Sequence, residues 1–221
     1  MNLLVITDVH GRVDLIKRIP EVSDADLIVF AGDVTPYGLG LDPYKVLAKL
    51  TKFIEPKVLI AVPGNMDPAS IYDRAERELG IKLVHGRAFK VGDVAFIGVG
   101  GSPPTPFGTL TEFPEDTIEE VLAEALKEAE GCGRLVLVSH APPYGTRCDV
   151  AVGGRHVGSI KVREFILRHQ PVLSICGHIH ESRAVDELGK TKVVNPGPFF
   201  RGYYAVAKLT KEGAEVELKK I

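Results

Sequence analysis

Leu3-Leu4-Val5-Ile6-Thr7 runs straight into Asp8-Val9-His10, a short apolar, β-branched run of the kind that forms a buried strand, with two metal-competent side chains at its carboxyl end. The arrangement recurs. Leu27 to Ala31 is followed by Gly32 and Asp33, and Val58 to Val62 by Gly64 and Asn65. Leu135 to Ser139 is followed by His140, and Val172 to Cys176 by Gly177, His178 and His180. Val94 to Val99 is a further run of the same type. Open α/β sheets carry their ligand sites at the carboxyl ends of the strands, so five loops are expected to deliver Asp8, His10, Asp33, Asn65, His140, His178 and His180 to one crevice. The three glycines fit tight turns that let the backbone come close to a bound ion or phosphate.

Helical periods separate several of the strands. Asp42 reads as an N-cap and Pro43 as the first turn of a helix carrying Val46, Leu47, Leu50, Phe53 and Ile54. A second helix follows Asp67 and Pro68 and stops at Gly80. A third runs from about Glu115 to Glu130, with Ile118, Val121, Leu122, Ala125, Leu126 and Ala129 on one face and Gly131 beyond its end. The last spans roughly Val157 to His169. Ser182 to Asp186, Lys192 to Val194, Tyr203 to Leu209 and Ala214 to Leu218 read as consecutive antiparallel strands. The expectation is α/β: a largely parallel sheet with helices packed on it and a second sheet, in a single domain over residues 1–221.

Composition narrows the function classes. The chain has 221 residues, 45% of them hydrophobic, enough for one substantial core. Lys and Arg number 27 against 29 Asp and Glu, and the formal charge of -2 provides no broad positive field for nucleic acid or an anionic membrane. Cys132, Cys148 and Cys176 are odd in number and lack CxxC spacing, which points to a reducing compartment and to small buried hydrophobes. No apolar stretch approaches a membrane span or a signal-peptide core, so the protein is read as cytoplasmic. Gln170 is the sole glutamine, and asparagine occurs only at Asn2, Asn65 and Asn195, a shortage of thermolabile amides that hints at a thermophilic source.

Two acids, four histidines and an amide form a mixed oxygen and nitrogen donor set, too large for one tetrahedral zinc and suited to two adjacent divalent ions. A carboxylate between two cations can bridge them, and Asp33 is the candidate. Two ions about 3.5 to 4 Å apart can share a deprotonated water as nucleophile and clamp an in-line phosphoryl displacement. No Ser/His/Asp or Cys/His constellation competes with this reading. Singly the motifs are weak, since Asp-x-His should arise by chance in roughly one chain in four of this length and Gly-His-x-His in on the order of one in a hundred. Their order, spacing and position together carry the specificity.

In that combination the sequence resembles the calcineurin-like metallophosphoesterase superfamily. The signature Asp-x-His, Gly-Asp, Gly-Asn-His-Asp/Glu, His, Gly-His-x-His is met at Asp8 and His10, Gly32 and Asp33, Gly64 to Asp67, His140, and Gly177 to His180, with Asn195, Pro196 and Gly197 beyond it. The resemblance implies a four-layer α/β/β/α sandwich of two central mixed sheets flanked by helices. It implies one metal on Asp8, His10, Asp33 and His180 and another on Asp33, Asn65, His140 and His178. Manganese is expected first, with zinc, iron or nickel as alternatives. Asn65 and His140 also take the catalytic roles, in hydrolysis by a metal-bridging hydroxide. Two departures stand out: Met66 replaces the signature histidine, and the longer Gly-Asp-x-x-Asp form ends here at Pro36. In the family that histidine serves phosphomonoester hydrolysis near the leaving group. Its absence favours phosphodiesters of small or nucleotide-like substrates.

Other residues carry narrower expectations. Asp67 is followed by Pro68 and a helix start, so it reads as a cap rather than a ligand. Arg155 and His156 lie in the glycine-rich stretch Gly153 to Gly158, where free backbone amides ahead of a helix suit a substrate anion. The proline-rich segment 101–114 is long for a connection and reads as a wall or lid over the crevice, pinned by Phe107 and Phe113. His85 and His169 have ordinary surface or helix-end explanations. A non-catalytic interaction module on the same fold and a nuclease of the same superfamily are the alternatives. The intact donor set opposes the first, and the length and charge oppose the second. The expected partner is a small-molecule phosphoester, with neither membrane nor nucleic acid; oligomeric state, a homodimer included, is left open.

Overall fold

The structure is a computed structural model and describes residues 1–36 and 40–221. Its centre is two facing six-stranded sheets. In the first, β1 (Asn2–Ile6), β2 (Leu27–Phe30), β3 (Val58–Ala61) and β4 (Lys82–Leu83) run parallel. The second contains β5 (Ala88–Val91), β6 (Val94–Val99), β7 (Arg134–Ser139), β8 (Leu173–Ile175), β9 (Ala184–Leu188) and β10 (Thr191–Asn195). There β6, β7, β8 and β10 are mutually parallel in that order, with β5 and β9 antiparallel at the edges. The last two strands, β11 (Tyr203–Leu209) and β12 (Ala214–Lys220), return to the first sheet, β11 pairing antiparallel with β1.

Alternation along β1 explains the layering. Leu3 and Val5 pack between the sheets against Val94, Phe96, Val136, Val138 and Leu173, while Leu4 and Ile6 face the opposite way, toward Leu47, Leu50 and Tyr72. Those last three belong to α1 (Pro43–Ile54) and α2 (Ala69–Leu79). On the far side α3 (Glu115–Glu128) and α4 (Ile160–His169) cover the second sheet through Ile118, Leu122, Val162 and Ile166. This is the expected α/β/β/α sandwich. All four residues Leu3 to Ile6 are fully buried, each worth about 1.5 to 3 kcal/mol, so the strand that presents Asp8 is held firmly from both faces.

Local chemistry sets most boundaries as expected. The Asp42 carboxylate accepts the Tyr44 and Lys45 N–H groups at 3.0 and 3.4 Å to start α1, and Gly80 ends α2 in the left-handed conformation at φ 72°. Four readings need correction. The last helix begins at Ile160 rather than Val157, because the Gly158 N–H is taken by Asp149 and Ser159 is the true N-cap, accepting from the Val162 N–H at 3.1 Å. The third helix ends at Glu128, two residues short of the expected Glu130. Two short edge strands, β4 and β5, escaped notice because two residues, or four half-exposed ones, carry no readable period. The C-terminal strands do not form one meander: β9 and β10 close the second sheet, β11 and β12 the first. Between them Pro196 and Pro198 lack N–H groups and Gly197 takes φ 81°, so the chain leaves one sheet and crosses to the other. Cys148 and Cys176 are buried and all three cysteines are free. No helix among the described residues is long and apolar enough to cross a membrane.

Candidate metal centre

The carboxyl ends of β1, β2 and β3 in one sheet and of β7 and β8 in the other meet at a common edge. Backbone bonds zip the loops together: the Asp8, His10 and Gly11 N–H groups donate to Gly32, Asp33 and Val34 carbonyls at 2.9, 3.1 and 2.8 Å, and the Gly177 N–H donates to His140 at 3.0 Å. Other bonds cross between the sheets. The His178 N–H donates to Asp8 Oδ2 at 3.2 Å, and His140 Nδ1 lies 2.6 Å from the Ala31 carbonyl. The glycines serve these approaches more than an ion's. A Cβ on Gly64 would overlap the Asp33 carboxylate, and one on Gly177 would overlap the Thr7 hydroxyl, so close packing of loop on loop is what requires glycine there.

Geometry brings all seven expected side chains together. Asp8 Oδ1 and His10 Nε2 each lie 3.3 Å from His180 Nε2. Asn65 Oδ1 is 2.9 Å from both His140 Nε2 and His178 Nδ1. Between the two groups Asp33 Oδ2 stands 3.6 Å from His140 Nε2 and 4.0 Å from His10 Nε2, while its Oδ1 accepts the Met66 N–H at 2.9 Å. Among the described residues only five other than glycine have positive φ, and four of them are here: Asp8 at 52°, His10 at 42°, Asp33 at 60° and His178 at 67°. Each such residue costs on the order of 1 to 3 kcal/mol, a concentration of strain that the packed strands beneath it sustain.

The electrostatics ask for positive charge. The Ala31 carbonyl only accepts, so His140 Nδ1 carries the proton and Nε2 offers a lone pair, directed at another acceptor, Asn65 Oδ1. His10 and His180 face each other through Nε2. Burial pushes His140 and His10 below the ordinary imidazole range and, with His140 beside it, takes His178 down to about 3, so these rings are neutral donors of electron pairs. Burial, with Asp67 and Asp8 alongside, drives Asp33 well above the usual carboxylate range. Asp8 moves the other way: burial would raise it, but the hydrogen bond from His180 and the neighbouring histidines outweigh that. Converging lone pairs, one carboxylate pressed toward protonation and a hard and borderline donor set fit divalent cations. Asp8, His10 and His180, and Asp8, Asp33 and His140, each have ligand atoms within 4.8 Å of one another.

Several surrounding residues act differently from the sequence reading. Asp67 is fully buried and caps no helix; it accepts the N–H groups of Asp33, Val34 and Gly64, each at 2.9 Å, and the Tyr72 hydroxyl at 2.7 Å, tying the β2 and β3 loops together. Of the amides expected to meet a substrate anion, those of Gly154 and Val157 donate to the Ala151 and Asp149 carbonyls, and others near the helix start are also taken. Ile160 and Lys161 N–H groups donate to Glu115, and Gly158 to Asp149. His156 Nδ1 pairs with the buried Asp149 carboxylate at 2.7 Å and hydrogen-bonds to none of the seven, while Arg155 is exposed with no carboxylate partner among the described residues. Their loop nonetheless adjoins the centre, since the Val152 N–H donates to Glu181, beside His180. In the long loop Phe113 packs on His85 at 5.7 Å as expected, but Phe107 is 83% exposed and pins nothing. His169 stacks on Phe165, and neither it nor His85 joins the site.

Sequence reasoning passed over the residues that aim the donors. The Thr7 hydroxyl donates to Asp8 Oδ2 at 2.9 Å, and the Asn195 amide gathers the Gly177 and Ile179 carbonyls at 3.3 and 3.0 Å. Phe200 sets its ring edge-on to His10 and His180, at 5.3 and 5.4 Å. The motif Asn195 to Gly197 hinted at that segment; nothing one-dimensional marked Thr7 or Phe200.

Comparison with known proteins agrees with this geometry. Residues 44–221 match the family model described as metallophosphoesterase, calcineurin superfamily. Protein MJ1162 of Methanocaldococcus jannaschii is 37% identical over 90% of this chain and 88% of its own length. The fold is shared with TT1561 of Thermus thermophilus, at 22% identity and a TM-score of 0.77 over 99% of this chain and 98% of that one. A 5'-nucleotidase from Candida albicans contains it in 51% of its length, at 14% identity and a TM-score of 0.62 over 99% of this chain. The chain therefore belongs to the calcineurin superfamily of metallophosphoesterases, hydrolases of phosphoesters that work with divalent metals.

Proposed function

We propose that the protein is a dinuclear phosphodiesterase acting on small or nucleotide-like substrates. The observation that carries this reading is the pair of donor groups meeting at Asp33, with Met66 half-buried beside them between buried Asn65 and Asp67. Asp8, His10, Asp33 and His180 would hold one ion and Asp33, Asn65, His140 and His178 the other, manganese being the first candidate ahead of zinc, iron and nickel. When bound, such ions supply positive charge against the phosphoryl oxygens and a lowered pKa for water.

The chain's own residues do the rest. His140 stays neutral because burial disfavours its cation and Ala31 fixes the Nδ1 proton, so its Nε2 is available at the centre throughout. Asn65 contributes Oδ1 while its amide nitrogen is engaged by Thr109 at 2.9 Å. Phe200 excludes water from one side of the His10 and His180 rings, and Arg201 carries its guanidinium 5.4 Å from the Phe200 ring. Arg155 and Arg201 are exposed cations without carboxylate partners among the described residues, suited to the charged oxygens of an incoming phosphoester. Met66 can neither give a proton to a leaving oxygen nor carry charge there, which suits a diester with a good leaving group.

Metal-stripped protein reloaded with one ion at a time and offered diesters, matching monoesters and cyclic nucleotides tests the proposal. Diester turnover above monoester turnover is expected, with manganese most effective; no hydrolysis with any ion would sink it. Replacing Arg155 and His156 together by Ala should raise KM or lower kcat/KM several-fold, with metal stoichiometry unchanged. Unaltered kinetics would show that this loop only walls the crevice.

A further inference from the structure

Segment 102–112 is more than a wall. It is stitched to the β3 loop by the Thr111 N–H, which donates to the Asn65 carbonyl at 3.0 Å, and by the Thr111 hydroxyl, which donates to the Asp67 carbonyl. Within it, Glu112 accepts four hydrogen bonds, from the N–H and hydroxyl of both Thr105 and Thr109. The Thr109 oxygen in turn lies 2.9 Å from Asn65 Nδ2.

We infer that Thr109 and Glu112 form a positioning relay that prevents the Asn65 amide from flipping, and so sets the affinity of the Asn65, His140 and His178 half of the centre for a divalent cation. The inference rests on the proposed dinuclear reading and deepens it. An ionised carboxylate only accepts, so the Thr109 hydroxyl must spend its single proton on Glu112. Its oxygen can then only accept, and the partner it requires from Asn65 is the NH2 group. Asn65 Oδ1 is thereby turned toward His140 and His178, where it can ligate. Glu112 is ionised across the working range: burial would raise its pKa, but the bonds from Thr105 and Thr109 bring it down to about 2.

The relay has a competitor to suppress. An asparagine amide has nearly the same shape in its two orientations. Flipped, Asn65 would present NH2 to the His140 Nε2 lone pair, 2.9 Å away, and quiet the cluster of acceptors with no metal at all. That orientation is self-satisfied and unable to bind a cation through the amide. With the relay in place it would leave the Thr109 oxygen facing a carbonyl oxygen, so the ligating orientation is retained before any ion arrives.

Thr109→Val removes the hydroxyl at nearly constant volume, and the loop keeps its Thr111 anchors and three of the four bonds to Glu112. Thr109→Ser restores the hydroxyl. Calorimetric titration of metal-free protein with manganese should resolve two sites in the wild type. In Thr109→Val one should keep its affinity and the other weaken by about 10- to 100-fold, the usual cost of losing a partner of a ligand. Thr109→Ser should titrate like the wild type. The second readout needs no metal: with asparagine only at positions 2, 65 and 195 and one glutamine, the Asn65 side-chain amide can be followed individually by nitrogen-15 NMR. Its protons should exchange slowly in wild type and Thr109→Ser and lose that protection in Thr109→Val. Equal weakening of both sites, or unchanged titration and unchanged exchange in Thr109→Val, overturns the relay. Should the wild type bind no ion, the dinuclear reading fails by itself, and the exchange measurement still decides the amide's orientation: protection lost only in Thr109→Val supports the relay, protection unchanged rejects it.

Discussion

Asp33→Ala is expected to empty both halves of the centre at once, with kcat falling by about 10³-fold or more, since the charge stabilisation at stake is several kcal/mol and each 1.4 kcal/mol is worth about tenfold. The carboxylate stands between the donor groups, 3.6 Å from His140 Nε2 on one side and 4.0 Å from His10 Nε2 on the other. His180→Ala removes a side chain that is 31% exposed and belongs to one group only, so it should cost one ion and leave the other. Elemental analysis after reloading should read near two ions per chain for the wild type, about one for His180→Ala and less for Asp33→Ala. Equal, negligible loss from both would place the bridge elsewhere.

Stability of the metal-free protein offers a second reading of the same substitution. Burial, Asp67 and Asp8 all disfavour charge on Asp33, and the Met66 N–H bond is the counterweight the fold provides. Removing the carboxylate relieves that conflict, so the metal-free Tm of Asp33→Ala should hold or rise while the Tm gain on adding metal disappears. A sharply lowered metal-free Tm would mean that the carboxylate is scaffold before it is ligand. The site would then be an exception to the usual exchange of stability for function.

What could be read from the chain and what could not follow a physical divide. All seven donors sit one to five residues beyond a strand, where a short apolar run and a following Asp, Asn or His share one local signal. Boundaries fixed by a neighbour, such as Asp42 at α1 or Gly80 after α2, were equally legible. Asp67 was misread because its position before Pro68 advertises a cap, whereas its actual partners, Asp33 and Val34, are 34 and 33 residues away. Thr109 reaches Asn65 across 44 residues, and His140 reaches Ala31 across 109. The carboxylate that fills the α4 N-terminus, Glu115, is likewise 45 residues from Ile160. Contacts of that kind depend on how two sheets are stacked, and no periodicity encodes them. The split of the C-terminal strands between the sheets belongs to the same class, since each hairpin looks alike until its outer partner is known.

Met66→His should turn the protein toward monoesters. Met66 is half-buried, belongs to none of the hydrophobic clusters among the described residues, and has its N–H fixed to Asp33 Oδ1 at 2.9 Å. A histidine placed there therefore projects from a backbone anchored to the centre, and its installation should shift Tm little. A monoester brings an extra negative charge and an alkoxide that departs poorly without a proton, whereas an activated diester needs little such help. An imidazole near the leaving oxygen can supply both the charge and the proton, an effect worth roughly 10² to 10⁴-fold when geometry is ideal. An unevolved placement should give the lower end of that range in monoesterase kcat, with diesterase activity changing far less. The discriminating quantity is the ratio of monoester to diester turnover, measured with Tm and metal content on the same preparation. A ratio that stays constant while metal content and Tm are unchanged would reject the leaving-group role of this position, because the histidine would then be present, folded and beside a loaded centre without acting on the substrate. A rise in the ratio that disappears as pH climbs past the imidazole range would identify the protonated ring as the acting species, since a neutral histidine retains its shape but has no charge to offer the departing oxygen.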